Sequence, residues 1–348
     1  MSRGIRVPER ALTRRAAVVG AGGALGALVL GRGRATAHAQ APAQAHAAQA
    51  GSPAAVLGGV VGGAWDVVDL SVTTAEDFPV SWPNQPQFEV DPLTWFRSRR
   101  GPTPPGETGS VRTDIAAVTA YQITEHTGTQ IDFPPHFIPP PGVNIPGARG
   151  GPMGRMTGDK FAMTAFMGPA VVIDLRAVLA AHKAKGKSAI VQRAWIERWE
   201  ARYGRIQPGE VPLLYSGYTD RYFKRFPEGK RMQDRMLWKV LVDKSEPGWC
   251  ALAPEAVELM WDRGVKHLAT DGPSFGSAEK GQEAHVAGLR HGMSWTECTI
   301  GLGRLPLRGA FFVTAPYKVR EQQAAIGRAF AFNAKGAAAV RDTPPLEL

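Results

Sequence analysis

Apolar positions fall in blocks that indicate buried strands. Residues 168–175, 209–215 and 265–270 are nearly continuous apolar runs bounded by glycine, proline or charged residues. Runs of this length without alternation are typical of strands that are covered on both faces, as in a parallel sheet. Further strands are predicted at residues 67–71, 116–124, 295–302 and, as the last strand of the fold, 305–314.

Helical periodicity occurs between these strands. Apolar residues at helical spacing predict helices at residues 191–203 and 253–264. Two glycines restrict a third, shorter helix to residues 284–290. Because buried strands and helices alternate, we predict a single α/β domain over residues 64–335, followed by a C-terminal tail at 336–348.

The first 39 residues have the pattern of an export signal. Arg14 and Arg15 precede the uncharged run 16–30, and Ala-x-Ala cleavage sites follow. We therefore predict a twin-arginine signal peptide over residues 1–39 and a periplasmic or secreted protein. A membrane anchor is the alternative, but fifteen residues fall short of the about 20 needed to span a bilayer. Residues 40–63, rich in Ala, Gln and Gly, predict a disordered linker.

Charge and cysteine content narrow the functional classes. The net charge of the chain is +10, of which residues 1–50 carry +6, so only +4 belongs to the rest. Basic runs with interleaved aromatic residues are absent from the sequence, which argues against a nucleic-acid partner. Cys250 and Cys298 are the only cysteines. They could form one disulfide in an oxidising compartment, and two buried thiols are equally compatible.

The most informative stretch is residues 121–138, YQITEHTGTQIDFPPHFI. His126, Gln130, Asp132 and His136 lie within eleven residues of it. In an extended strand His126 and Gln130 would be ~13 Å apart, too far to share an ion. Gly128 permits a sharp bend, and two prolines prevent a helix from continuing. We expect the polar side chains to converge on a metal or acid/base site.

A second group of polar residues follows the strand predicted at 265–270. Asp271 and Ser274 stand at its end, where they could support a site, and His285 and Glu297 come later. On one continuous helix the last two would lie about 18 Å apart along the axis. The chain must therefore fold back between them if they share a site.

The pattern His-x-Gly-Thr-x-x-Asp-x-Pro-x-His, residues 126–136, resembles the signature of the cyclase family of metal-dependent hydrolases. This family includes bacterial kynurenine formamidase and isatin hydrolase. The runs Asp69-Leu70-Ser71 and Gly-Pro-Ala-Val-Val-Ile-Asp at 168–174 are also similar to the family, and the resemblance covers about residues 65–332. It implies a swivelling β/β/α fold and a homodimer or homotetramer.

The resemblance also implies roles for the site residues. His136 would be the catalytic acid/base. Gln130 stands where most members have a histidine, and an amide oxygen is a harder and weaker ligand than imidazole. The cofactor would be one or two divalent ions, zinc or manganese. The implied metal ligands are His126, Gln130, Asp132, His285 and Glu297.

The sequence thus predicts an exported hydrolase that acts on a small molecule. It would cleave an N-formyl amide, a cyclic amide or a lactone with metal-activated water. Trp82, Phe133 and Tyr218 are the candidate aromatic contacts to the substrate. The alternative is a non-catalytic periplasmic binding protein of the same fold, a hypothesis favoured by Gln130.

Overall fold

The computed structural model describes residues 53–96, 112–114, 116–225 and 235–346. The predicted signal peptide and residues 40–52 of the predicted linker lie outside this part. Within the end of that linker, Pro53–Val61 form helix α1, which the sequence analysis did not predict. Pro53 is suited to the first turn of a helix, and the alanine, valine and leucine residues behind it can continue one.

Seven strands of the described chain close into a barrel-like ring. In ring order they are β15 (Ala324–Ala334), β14 (Arg308–Pro316), β8 (Met167–Asp174), β10 (Val211–Tyr215), β12 (His267–Thr270), β13 (Ser294–Glu297) and β5 (Gln130–Asp132), which pairs with β15 again. An eighth strand, β1 (Trp65–Asp69), pairs antiparallel with the far end of β15. The four strands β8, β10, β12 and β13 are parallel, as the continuous apolar sequences of the first three predict, and the other pairings are antiparallel.

Successive side chains of the parallel strands belong alternately to two hydrophobic cores. Val172 of β8 and Leu213 of β10 belong to a core with Phe312 of β14 and Ala331 of β15. Their neighbours, such as Ile173, face the helices instead. Successive side chains of a strand point to opposite faces, so a strand covered on both sides must be apolar throughout.

The other helices of the described residues are short, and three of them, α3, α6 and α7 in the bounds below, cover one face of the parallel strands. Their bounds are α2 Arg176–Ala181, α3 Arg193–Tyr203, α4 Tyr218–Tyr222, α5 Trp238–Leu241, α6 Pro254–Asp262 and α7 Gly281–Leu289. Trp199 of α3 and Met260 of α6 are fully buried in the shared core. None of these helices has the length and apolar character that crossing a membrane requires.

Smaller sheets and turns complete the described part. The remaining strands are β2 (Glu89–Phe96), β3 (Arg112–Asp114), β4 (Val118–Gln122), β6 (Asn144–Ile145), β7 (Ala148–Arg149), β9 (Ala189–Val191) and β11 (Cys250–Leu252). They pair as β3–β2–β4, β6–β7 and β9–β11. Short 3-10 helices lie at Pro134–His136, Pro152–Arg155, Gly158–Lys160, Met163–Phe166, Leu302–Arg304 and Val340–Asp342.

The structure corrects the prediction that residues 305–314 form the last strand. β14 covers that region, but β15 follows it with eleven residues and pairs with β14, β1 and β5. In the predicted tail, Val340 is buried in the barrel core, and Arg176 donates hydrogen bonds to the carbonyls of Val340 and Thr343. Cys250 and Cys298 are both buried and form no disulfide.

Candidate metal centre

A turn and a bend bring the start of the motif into position. Thr127 N donates to Thr124 O at 3.1 Å, which closes a turn with His126 at its third position. Gly128 follows in the left-handed region, with a φ of +65°, and a Cβ there would lie 3.2 Å from Val72 Cγ2. Glycine therefore suits this backbone conformation, and a Cβ would also require the side chain of Val72 to shift slightly.

Strand β5 and the turn after it add three side chains. Gln130 and Asp132 are two residues apart in the strand and point to the same face. Pro134–His136 then form a 3-10 turn that carries His136 back toward Asp132. Asp132 Oδ2 lies 3.7 Å from His136 Nε2, and Asp132 Oδ1 lies 3.3 Å from His126 Nδ1.

Helix α7 and strand β13 supply the late pair. Glu297 is the direct partner of Gln130 in the β13–β5 ladder. His285 Nε2 lies 3.3 Å from Glu297 Oε1 and 3.3 Å from Asp132 Oδ2. His285 Nδ1 lies 2.6 Å from Gly281 O and can donate to it, which turns Nε2 toward the two carboxylates. The predicted fold-back between helix and strand thus brings His285 and Glu297 together.

These side chains form two overlapping sets that share Asp132. One is His126, Asp132 and His136, and the other is Asp132, His285 and Glu297. Within each set, one potential ligand atom per residue lies within 4.8 Å of the others. Imidazole nitrogen and carboxylate oxygen are the donor types that zinc and manganese bind in proteins. The structure therefore gathers the predicted residues in one place, and their ligand roles stay a prediction.

Two buried oxygen atoms at the centre have no hydrogen-bond partner. Gln130 donates from Nε2 to Glu297 Oε2 at 2.6 Å, but its own Oε1 accepts nothing. Asp132 Oδ1 is likewise buried without a hydrogen bond. A buried acceptor without a partner costs about 1–3 kcal/mol. A cation held between these oxygens would supply what each one lacks, so the donor set fits a divalent metal.

Electrostatics also favour a cation. Burial alone would lower the pKa of His285, but the carboxylates of Asp132 and Glu297 raise it to about 10. Burial likewise opposes the shift at His126, whose pKa is nevertheless raised by Asp132, Glu297 and Glu125. Burial would raise the pKa of Asp132, yet the imidazoles of His136, His126 and His285 hold it well below its usual range. A site that retains an imidazolium in this way attracts positive charge, and a metal would compete with that proton.

The pKa values of Glu297 and His136 are also shifted. The pKa of Glu297 is raised, in contrast to that of Asp132, and the pKa of His136 is lowered, in contrast to that of His285. Burial raises the pKa of Glu297, and the nearby charge of Asp132 adds to this effect. Burial also lowers the pKa of His136 to about 4; His126 and His285 add to that shift, and Asp132 opposes it. Near neutral pH, His136 is therefore a neutral imidazole. It is also the most exposed of the three histidines, with 27% of its side chain accessible.

A cavity of about 290 Å³ opens onto this cluster. Its aromatic walls include Trp82 and Trp249, whose rings stand edge to face with centroids 6.3 Å apart. Phe137 adds a third aromatic wall. Polar side chains also line it, namely Asn84, Gln85, Ser274 and Ser277. A larger open groove of about 560 Å³ elsewhere includes none of the predicted metal ligands.

Only one of the three predicted substrate contacts lies at the cavity. Trp82 lines the cavity. Phe133 does not, because it alternates with Asp132 along the chain and points to the opposite side, where it is fully buried against Phe161 and Phe166. Tyr218 is also fully buried, with its hydroxyl donating to Met236 O at 2.9 Å. The predictions for Phe133 and Tyr218 are therefore wrong.

Two residues that contribute to the site were not predicted from the sequence. Phe275 N donates to Glu297 Oε1 at 2.6 Å, and Trp249 forms a wall of the cavity. Asp271, which the sequence suggested as a supporting residue, does not line the cavity; its carboxylate accepts hydrogen bonds from Ser216 N, Ser216 Oγ and Tyr218 N. Burial raises the pKa of Asp271 to about 7. A backbone donor such as Phe275 N leaves no residue-type signal in a sequence.

The closed α/β barrel and its histidine–carboxylate cluster define a protein of the swivelling β/β/α class with a candidate metal centre. The model of the Cyclase family matches residues 68–277, more than half of the chain. The chain belongs to the Cyclase family. The predicted family and fold are thus confirmed.

Solved structures show the same fold. Isatin hydrolase A from Labrenzia aggregata is 24% identical, with a TM-score of 0.59 over 80% of this chain and 98% of that one. Isatin hydrolase A from Ralstonia solanacearum is 22% identical, with a TM-score of 0.57 over 86% and 100%. Another isatin hydrolase, bound to the product analogue thioisatinate, is 20% identical, with a TM-score of 0.59 over 82% and 100%.

Proposed function

We propose that this protein is a metal-dependent hydrolase that cleaves an amide or lactone bond of a small molecule. The observation that carries the proposal is the pair of overlapping ligand sets around Asp132, with two unpartnered buried oxygens, at the base of an aromatic-lined cavity. The fold shared with isatin hydrolases supports the same class of reaction.

The ligand roles follow from position and burial. Asp132 belongs to both sets, and His285 and Glu297 are almost completely buried beside it. Gln130 offers its unpartnered Oε1, and His126 offers Nδ1. When bound, a zinc or manganese ion would supply a Lewis acid that polarises a carbonyl group and makes water more acidic.

His136 is suited to proton transfer. It lines the cavity, it is neutral near pH 7, and its ring is tilted by 40° against that of His126, with centroids 4.2 Å apart. As the base, its Nε2 accepts a proton from the attacking water. It then delivers the proton to the leaving nitrogen or oxygen as the C–N or C–O bond breaks. Trp82, Trp249 and Phe137 would hold the substrate and exclude water from it.

The proposal extends to location and assembly. Residues 1–39 have the pattern of a twin-arginine signal, which supports export to the periplasm or beyond. The resemblance to the cyclase family supports a homodimer or homotetramer. The net charge of +4 outside residues 1–50 supports a small molecule as the partner rather than a nucleic acid.

The test combines metal analysis with a substrate screen. Purified protein is loaded with zinc or manganese, its metal content is measured, and N-formyl arylamines, cyclic aryl amides and aryl lactones are assayed with and without chelator. We expect bound metal and chelator-sensitive hydrolysis, with His136→Gln keeping the metal and losing most of the rate. Bound metal without hydrolysis of any class would favour the non-catalytic binding protein. Absence of metal binding would refute the proposal.

A further inference from the structure

Glu125 stands next to His126 in the turn that opens the motif. The two residues occupy the central positions of the turn from Thr124 to Thr127. The turn is braced by side chains, since Thr127 Oγ1 accepts from Thr124 N at 3.2 Å and lies 3.0 Å from Thr124 Oγ1. Glu125 and His126 are therefore held in a fixed relation by a rigid piece of backbone.

A hydrogen bond at one oxygen orients the carboxylate of Glu125, and the other oxygen faces His126. Its Oε2 accepts a hydrogen bond from Ala324 N at 3.1 Å. Ala324 is the residue of β15 that pairs directly with Asp132 of β5. The other oxygen, Oε1, lies 3.9 Å from Nε2 of His126. Glu125 thus connects the imidazole of His126 to the strand that lies beside Asp132.

The two nitrogens of His126 face different carboxylates. Nδ1 is 3.3 Å from Asp132 Oδ1, inside the ligand cluster, and Nε2 points to Glu125 on the outside. Only one nitrogen of a neutral imidazole carries a lone pair, and its partner must carry the hydrogen. At 3.9 Å the carboxylate of Glu125 is too far for a hydrogen bond, so it acts on Nε2 through its charge. A negative charge on this side favours the tautomer with its hydrogen on Nε2 and its lone pair on Nδ1, the atom that faces the cluster.

We infer that Glu125 is a positioning residue for the metal centre, which fixes the ring orientation and the tautomer of His126. The inference rests on the proposed metal site. A histidine ligand commonly donates its second N–H to a carboxylate, and loss of such a partner lowers metal affinity about 10–100-fold. Glu125 is half-exposed and lies outside the cavity, so it acts on the ion through His126 and not through the substrate.

The experiment measures metal affinity and ligand geometry in variants of Glu125. Cobalt(II) is the probe, because its visible absorption reports the arrangement of its ligands. Glu125→Ala should weaken cobalt binding about 10–100-fold and change the absorption bands, and Glu125→Gln, which keeps an uncharged acceptor, should fall between this variant and the wild type. Glu76→Ala is the matched control, since Glu76 likewise accepts a backbone hydrogen bond, from Val90 N at 3.0 Å, and does not line the cavity.

The outcomes separate this inference from the proposed function. If the wild type binds cobalt, but Glu125→Ala binds it within a factor of about two with the same spectrum, the positioning role is refuted. A lower unfolding temperature of metal-free Glu125→Ala with unchanged cobalt affinity also refutes it and assigns Glu125 to the fold alone. If Glu125→Ala does not fold, Glu125→Gln decides by the same criterion. Failure of the wild type to bind cobalt, zinc or manganese would instead refute the metal site itself.

Discussion

Asp132→Asn is expected to abolish tight metal binding while preserving the shape of the site. Trp295 Nε1 donates to Asp132 Oδ2 at 3.3 Å, so the amide oxygen of an asparagine would take that position. Its NH₂ group would then replace Oδ1, 3.3 Å from His126 Nδ1. An amide nitrogen carries hydrogens and has no lone pair for a cation. The substitution therefore removes one ligand atom and places a donor where the ion needs an acceptor.

The magnitude follows from the position of Asp132 in both ligand sets. Loss of a group that only supports a ligand costs about 10–100-fold in metal affinity, so loss of a shared ligand should cost at least about 100-fold. At a metal concentration of about 1,000 times the wild-type Kd, binding stabilises the wild type by about 4.1 kcal/mol. At the same concentration, a variant with 100-fold weaker binding would gain only about 1.4 kcal/mol.

The assay compares urea unfolding of both proteins with and without excess zinc. Asp174→Asn is the control, because Asp174 is also a buried aspartate but binds Arg176, with their charged atoms 2.7 Å apart, and belongs to neither ligand set. We expect the control to lose stability in both conditions and to keep the full zinc-dependent gain. An Asp132→Asn variant with the same zinc-dependent gain as the wild type would show that Asp132 is not a ligand.

Three further predictions test other parts of the molecule. Gln130→His should raise zinc affinity relative to manganese, because imidazole is the softer donor, and an unchanged ratio would mean that Gln130 Oε1 does not touch the ion. Burial lowers the pKa of His267 from 6.5 to about 3. Its contribution to the free energy of unfolding, about 5 kcal/mol, should therefore be present above pH 6.5 and lost as the pH falls toward 3. If the free energy of unfolding in urea had the same pH slope in the wild type and in His267→Gln, this prediction would be contradicted. A reporter fused to residues 1–45 should be exported, and replacing Arg14 and Arg15 by lysine should block it; export of the double-lysine fusion would exclude the twin-arginine route.

The parallel half of the barrel could be predicted because its strands are buried on both faces. An uninterrupted apolar run such as that of β8 has no other simple explanation. β15 was missed for the opposite reason. It is rich in alanine, contains Gly327 and is only partly buried along its length, so neither composition nor alternation marks it as a strand. Its importance arises from pairing with three other strands, which no local pattern reveals.

At the site, the sequence indicated which residues converge but not what surrounds them. Gly128 and the prolines after Asp132 predicted the bend, and His285 and Glu297 could meet only if the chain folded back. Phe133 was assigned wrongly, because an aromatic residue in a motif looks the same whether it lines a cavity or fills a core. The sequence also did not indicate that His267 is buried between Ser294 Oγ and Thr296 Oγ1. These contacts depend on strand pairing across the ring.

Because the ring is closed, a metal ion at this site would also affect the pairing between its strands. A closed sheet has no free edge, so it can open only where a pair of strands separates. The shortest strand of the ring is β5, which has three residues and pairs with β13 on one side and β15 on the other. Gln130 and Asp132 belong to this strand, and Glu297 belongs to its neighbour. An ion held by these residues would therefore link β5 to β13, and its removal should weaken the pairing of these two strands.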